Sequence, residues 1–258
     1  QSTASNSTDS DDITQQTYKP GKLTIATGQP AYEPWVMNDN PESGEGYEAA
    51  VAYAVADKLG FKKSDVVWTR IAFDTAIAPG AKDWDFNIQQ FGITDERKKA
   101  VDFSSSYYND SQSVVVKKDS KFANATKVSD LKDATVGVMV GTLAYDYAKA
   151  NIKDDIQTFN DDAALAQALD AGQIDALVTS TVECVYMVQS EQVKDAKVLG
   201  RLPDSEDKSG MGIVLPKDSK LTAAVTKAVD DLNADGTIKK LQDKWLAEYT
   251  TDLTELKK

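Results

Sequence analysis

FGITDERKKAVDFSSSYY, residues 91–108, directly follows the apolar segment Phe86-Asn87-Ile88 and the pair Gln89-Gln90. Thr94 stands where a helix N-cap would, and Asp95 and Glu96 would follow in its first turn, where acidic side chains suit the helix dipole. Arg97 comes next. Its guanidinium carries five donors in a rigid fork, which suits bidentate capture of a carboxylate. An arginine in such a turn is also an ordinary solvated charge. The turn by itself leaves both roles open.

Outward from this turn, strand and helix signals alternate. The β-prone runs at residues 23–27, 66–69 and 84–88 predict strands. A helix is predicted over 47–59, because Ala50, Val51, Ala54, Val55 and Leu59 follow the 3.6-residue period and Gly60 closes it. A short helix over 73–78 stops at Pro79-Gly80. This βαβαβ order implies a parallel sheet covered by helices. The order then restarts. Strands are predicted at 113–116, 135–139, 174–178, 198–202 and 211–215. Helices are predicted at 143–150, after Asn160, after Ser219 and after Thr237. The strands near 112–117 and 211–215 stand between the two halves and are expected to be the pair that crosses from one to the other.

Composition narrows the function. The chain has 258 residues and a formal net charge of −12, which opposes nucleic-acid binding. It has no histidine, so the usual general base and metal ligand are missing. Its one cysteine, Cys184, lies in an apolar run and reads as a buried small hydrophobe. Asp161-Asp162 and Asp230-Asp231 read as helix-surface charges. Neither a metal nor a cofactor is expected. No stretch reaches the ~18 apolar residues of a membrane span. Residues 1–20 are rich in Ser, Thr, Asp and Gln and are expected to form a disordered tether.

The pattern of an apolar strand, then Gly-Ile-Thr, an acidic residue, Glu-Arg, Lys, Val-Asp-Phe-Ser and Tyr-Tyr resembles the polar amino-acid-binding family, the solute receptors of ATP-driven (ABC) importers. The resemblance runs from about Lys22 to Tyr249. It implies an α/β, two-lobed periplasmic-binding-protein-like type II fold, with a ligand cleft between lobes joined by two hinge strands. Residues 21–112 plus 214–258 would form lobe 1 and residues 113–213 lobe 2.

The same resemblance implies a ligand site. Arg97 would grip the α-carboxylate of a free amino acid. Tyr32 would wall the pocket, or else pack over the sheet edge. Phe73 would pack on the ligand from the opposite side, or belong to the core. Of Gln89 and Gln90, one should face the cleft, because strand side chains alternate, and the backbone at Gly92 would approach the ligand closely. Thr142 and Leu143 match a Gly-Thr-Thr segment that shares the carboxylate at a helix N-terminus, although Leu143 lacks the hydroxyl. Thr142 would equally serve as a plain N-cap. Ser180 departs most sharply, because the family places there an Asp that pairs with the ligand's ammonium. Glu183, one helical turn on, would supply the carboxylate, or neutral acceptors would, or the ligand lacks an α-amino group.

The function implied is an extracytoplasmic binding protein rather than an enzyme. It would deliver a small polar amino acid, glutamine-like as a first reading, to ABC permease subunits. It is expected to be a monomer, either periplasmic or held at the membrane by an N-terminal lipid. The alternatives are the ligand-binding domain of a membrane sensor and a small carboxylic-acid dehydratase on the same fold.

Overall fold

The structure is a computed structural model and describes residues 12–258. By their contacts these residues divide into two α/β units. The first runs to Asn109 and resumes over Ser209–Leu246, and the second comprises Asp110–Lys208 and Ala247–Lys258.

In the first unit, Leu23–Thr27 (β1), Val66–Arg70 (β2), Phe86–Asn87 (β3), Val101–Tyr108 (β4) and Met211–Pro216 (β10) form one sheet. Its order is β2-β1-β3-β10-β4. β1 lies parallel to β2 and β3, while β10 runs antiparallel between β3 and β4. Every residue of β1 is buried, as a strand with both faces covered requires. The helices of this unit are Tyr47–Lys58 (α1), Phe73–Ala76 (α2), Asp95–Lys98 (α3), Thr222–Ala234 (α7) and Thr237–Trp245 (α8).

In the second unit, Gln112–Lys117 (β5), Val136–Met139 (β6), Ile156–Phe159 (β7), Ala176–Ser180 (β8) and Ala196–Arg201 (β9) form a sheet of order β7-β6-β8-β5-β9. Val114, Val115 and Val116 of β5 are fully buried, with Val114 and Val116 in one apolar cluster and Val115 in another. Leu143–Asn151 (α4), Asp162–Asp170 (α5), Thr181–Gln189 (α6) and Ala247–Thr250 (α9) complete this unit.

The α/β class follows the predicted alternation, but several details differ. The two strands expected to cross as a pair lie in separate sheets: β5 pairs with β8 and β9, and β10 with β3 and β4. The chain changes unit at 109/110 and 208/209 instead, and again at 246/247. The tail from Ala247 therefore groups with the second unit rather than the first. Leu256 is 2% exposed in that unit's core, and the Lys257 carbonyl accepts from Val128 N–H at 2.8 Å.

Of the segment expected to be a tether, residues 1–11 lie outside the described residues, whereas residues 12–20 are bonded to the first unit. Tyr18 N–H donates to Asp85 Oδ1 at 2.7 Å, while Thr24 N–H donates to the other oxygen of the same carboxylate. A single buried carboxylate thus ties the entering chain to β1. The strand expected at 84–88 is regular only over Phe86–Asn87, although the N–H groups of Asp85 and Ile88 still donate to the Thr24 and Ala26 carbonyls of β1 at 2.8 and 3.0 Å. The helix caps move by one or two positions: Asp161, not Asn160, accepts from the helix at 2.8 Å.

Candidate functional site

Arg97 sits in the last turn of α3, whose N-cap Thr94 accepts from Arg97 N–H at 3.1 Å. That cap fixes where the side chain leaves the backbone. Arg97 Nη1 donates to the Gly92 carbonyl at 2.8 Å, and the guanidinium carbon stands 5.3 Å from the centroid of the Phe73 ring. Phe73 in turn stacks on Phe91, with ring centroids 4.6 Å apart and planes inclined by 26°. Phe73 therefore both borders the core and carries the arginine. Partial burial lowers the guanidinium's proton affinity, while the Asp74 charge raises it. Among the described residues, Arg97 makes no ion pair with a carboxylate.

Gly92 lies in a bridge to Met211. The two hydrogen bonds of that bridge are made by its neighbours, Ile93 N–H to Gly210 and Gly212 N–H to Phe91. Gly92 thus presents its carbonyl to Arg97. A Cβ at this position would stand 3.4 Å from Arg97 Nη1, in ordinary van der Waals contact with it.

The two glutamines follow β3 rather than belong to it, and their side chains have different surroundings. Gln90 N–H donates to Glu48 Oε2 at 2.8 Å, and the Gln90 amide donates to Glu48 Oε1. Its side chain is thus committed inward. Gln89 is the other: its Oε1 is buried without a hydrogen-bond partner. Its Nε2 lies where a Cβ on Gly28 would be only 2.5 Å away. Glu48 itself, on α1, is fully buried and was missed by sequence reasoning. An acidic residue inside the predicted period of α1 was the available signal.

Tyr32 is 54% exposed on the loop after β1, while Trp35 is 1% exposed in the core, edge-on to Tyr47 and Tyr108. Arg70 is already engaged. Its Nη1 donates to Asp39 Oδ1 at 2.6 Å and to the Gly28 carbonyl at 2.9 Å.

In the second unit, Thr142 is the N-cap of α4. Its hydroxyl donates to the Met139 carbonyl at 2.7 Å and accepts from Tyr145 N–H at 3.3 Å. The hydroxyl is therefore spent on the cap, and the N–H groups of the first turn are what this terminus offers. Val140 and Leu143 beside it are 51% and 47% exposed. Ser180 ends β8 and precedes α6 without a capping bond from its side chain. Glu183 lies in the first turn of α6. Thr181 beneath them is fully buried and lies 2.8 Å from both the Ser111 and Ser113 hydroxyls.

Asp162, read from sequence as a surface charge, is instead turned toward β8. Thr179 Oγ1 donates to its Oδ1 at 3.4 Å, and burial pushes its carboxyl pKa up. Cys184 is fully buried, as its apolar run predicts, and burial pushes its thiol well up. Among the described residues, no group of three or more His, Cys, Asp or Glu could hold a metal ion, and no helix is long and apolar enough to cross a membrane.

Comparison with known proteins extends these observations. The family described as bacterial extracellular solute-binding proteins, family 3, matches over residues 23–248. The L-arginine-binding protein of Pseudomonas aeruginosa is 29% identical over 245 residues, covering 89% of this chain and 88% of the relative. The L-cystine-binding protein TcyJ of Escherichia coli (strain K12) is 29% identical over 223 residues, covering 85% of this chain and 81% of the relative. A solved structure of an ancestral arginine-binding protein bound to glutamine is 31% identical, with a TM-score of 0.65, covering 88% of this chain and 98% of that one.

Proposed function

Because this chain belongs to the bacterial extracellular solute-binding proteins of family 3, we propose that it captures a free polar amino acid outside the cytoplasm and hands it to the membrane subunits of an ABC importer. The observation that carries this reading is Arg97. Its guanidinium is half-buried, steadied by the Gly92 carbonyl and the Phe73 ring. Among the described residues it is not matched by a carboxylate. A ligand α-carboxylate supplies that match, in a charge-assisted contact of ~2–3 kcal/mol. Tyr32 and Gln89 are the other groups we assign to ligand contact in the first unit. The first-turn N–H groups of α4 after Thr142, at Leu143 and Ala144, together with Ser180 and Glu183, are those we assign in the second.

The ligand's side chain is constrained by Arg70. Its guanidinium is bonded to Asp39, so an acidic side chain would lack a second cation. A neutral polar side chain such as that of glutamine fits best. A cationic side chain is the second reading. Relatives are named for arginine, and among the described residues no cation is bonded to the Asp162 carboxyl beside Thr179. The protein acts as a monomer, by binding without turnover, and is either periplasmic or tethered by an N-terminal lipid.

A thermal-shift screen of the twenty amino acids tests the reading. At a hundredfold excess over Kd, a ligand stabilises by ~2.7 kcal/mol, and the amino acid recovered afterwards is unchanged. A screen in which no amino acid raises the midpoint rejects the reading, and chemical conversion of the ligand would favour an enzyme.

A further inference from the structure

Glu48 lies outside every group assigned to the ligand, yet it is the most completely enclosed acid in the first unit. Its side chain is fully buried, and what surrounds it is specific. Gln90 donates to it twice, from the backbone N–H at 2.8 Å and from the side-chain amide, and the Tyr107 hydroxyl on β4 donates a third hydrogen bond. None of these partners is cationic. The groups next in line are also neutral: the Tyr47 hydroxyl donates to the Tyr107 carbonyl, and Gln242 on α8 reaches both.

Gln90 is held in a conformation that a non-glycine residue avoids, with φ of 53°. Such a conformation persists only where its surroundings impose it. The two hydrogen bonds to Glu48 are that imposition. Immediately before Gln90 comes Gln89, whose Oε1 is buried and unpartnered. Two residues after it comes Gly92, whose carbonyl receives Arg97 at 2.8 Å. The links from Glu48 to Gln90, along the backbone to Gly92, and on to Arg97 are short and each is made by direct contact.

We infer that Glu48 is a positioning residue for ligand capture: by clamping Gln90 in its left-handed conformation it sets the path of residues 89–92 and, through the Gly92 carbonyl, the aim of the Arg97 guanidinium. The inference rests on the reading of Arg97 as the carboxylate grip. Burial also lifts the Glu48 carboxyl to about 7, against the hydrogen bonds from Tyr107 and Gln90 that lower it. An acid kept inside the protein at such a disadvantage is consistent with a local task.

The test is calorimetric titration of the full chain with L-glutamine and L-arginine in three forms: wild type, Glu48→Gln, and Glu48→Gln with Gln90→Gly. The amide of Glu48→Gln has one acceptor oxygen where the carboxylate has two, so it cannot accept from both the backbone and the side chain of Gln90 as Glu48 does, and the hold on Gln90 weakens. Affinity is expected to fall at least ~tenfold while the melting cooperativity is retained. Glycine takes a positive φ without a clamp, so adding Gln90→Gly is expected to regain at least ~fivefold of the loss. A merely structural glutamate would not be rescued in affinity by a change at position 90. Wild-type affinity in Glu48→Gln, or no regain in the double variant, overturns the inference.

Two further measurements keep the test decisive. If Glu48→Gln does not fold, Glu48→Asp, which withdraws the carboxyl by one methylene, is read against the same expectations. If the wild type binds neither amino acid, the proposed function fails on its own, and amide hydrogen exchange at Gln90 still tests the clamp. Exchange there should quicken in the Glu48 variant, and unchanged protection overturns the inference.

Discussion

Arg97 Nη1 stands 2.8 Å from the carbonyl oxygen of Gly92. That single hydrogen bond occupies one edge of the guanidinium and leaves the rest of its fork available. A lysine cannot reproduce this division of labour, because its ammonium is a point charge without a fork. Arg97→Lys is therefore expected to weaken amino-acid binding by ~1.5–3 kcal/mol with little change in melting temperature. Titration of that variant beside the wild type checks it, and equal affinity would mean that geometry at Arg97 does not matter.

Gly28 and Gln89 make a second contact with consequences. A Cβ on Gly28 would stand 2.5 Å from Gln89 Nε2 and 3.1 Å from the Pro30 carbonyl. Gly28→Ala should displace the Gln89 amide and destabilise the first unit by ~1–3 kcal/mol, the usual cost of overfilling a packed site. Denaturant unfolding measures this, and an unchanged midpoint would show that the Gln89 side chain swings away freely.

The buried Glu48 carboxyl makes stability depend on pH. Its pKa is raised by burial from 4.5 in the ordinary state to about 7 in the folded one. The folded state therefore binds the proton more tightly than the unfolded state. Its contribution to stability is fully present below about pH 4.5 and is lost as pH rises through 7. The loss amounts to about 3 kcal/mol by the free-energy equivalent of such a change in proton affinity. Urea titrations of wild type and Glu48→Gln at pH 5 and pH 8 compare the two slopes. The same pH dependence in both proteins would remove Glu48 as its source.

Beneath Ser180, the fully buried Thr181 hydroxyl is shared with Ser111 and Ser113. Thr181→Val keeps the shape and deletes the hydroxyl, leaving the fully buried Ser113 hydroxyl and the half-buried Ser111 hydroxyl without it. The expected cost is ~1–3 kcal/mol, measurable by thermal unfolding. A variant as stable as the wild type would show that the two serines repair the network between themselves.

The sequence made some of this plain and hid the rest for physical reasons. The Thr94 cap and the turn carrying Arg97 were readable because capping depends on a few adjacent residues. The burial of Cys184 followed from its local apolar context. β4 was not recognised as a strand, since its centre is Ser104-Ser105-Ser106, polar residues that the sheet accepts through tertiary pairing with β10. The role of Gln90 depended on Glu48, 42 residues away, and no local pattern carries such a distance. The docking of residues 12–20 had the same origin, a carboxylate at Asp85 that only the folded chain brings to Tyr18. The inward turn of Asp162 was hidden in the same way, since its partner Thr179 is 17 residues away on β8.

Calorimetric titration of the wild type and of Arg97→Ala, with the amino acid that most stabilises the protein, tests the central claim most directly. The account predicts one site per chain in the wild type, with affinity at or below micromolar, about −8 kcal/mol or better. It predicts no measurable heat in Arg97→Ala, whose unfolding midpoint is otherwise preserved. Wild-type affinity in Arg97→Ala would contradict the account, because the guanidinium would then not hold the ligand.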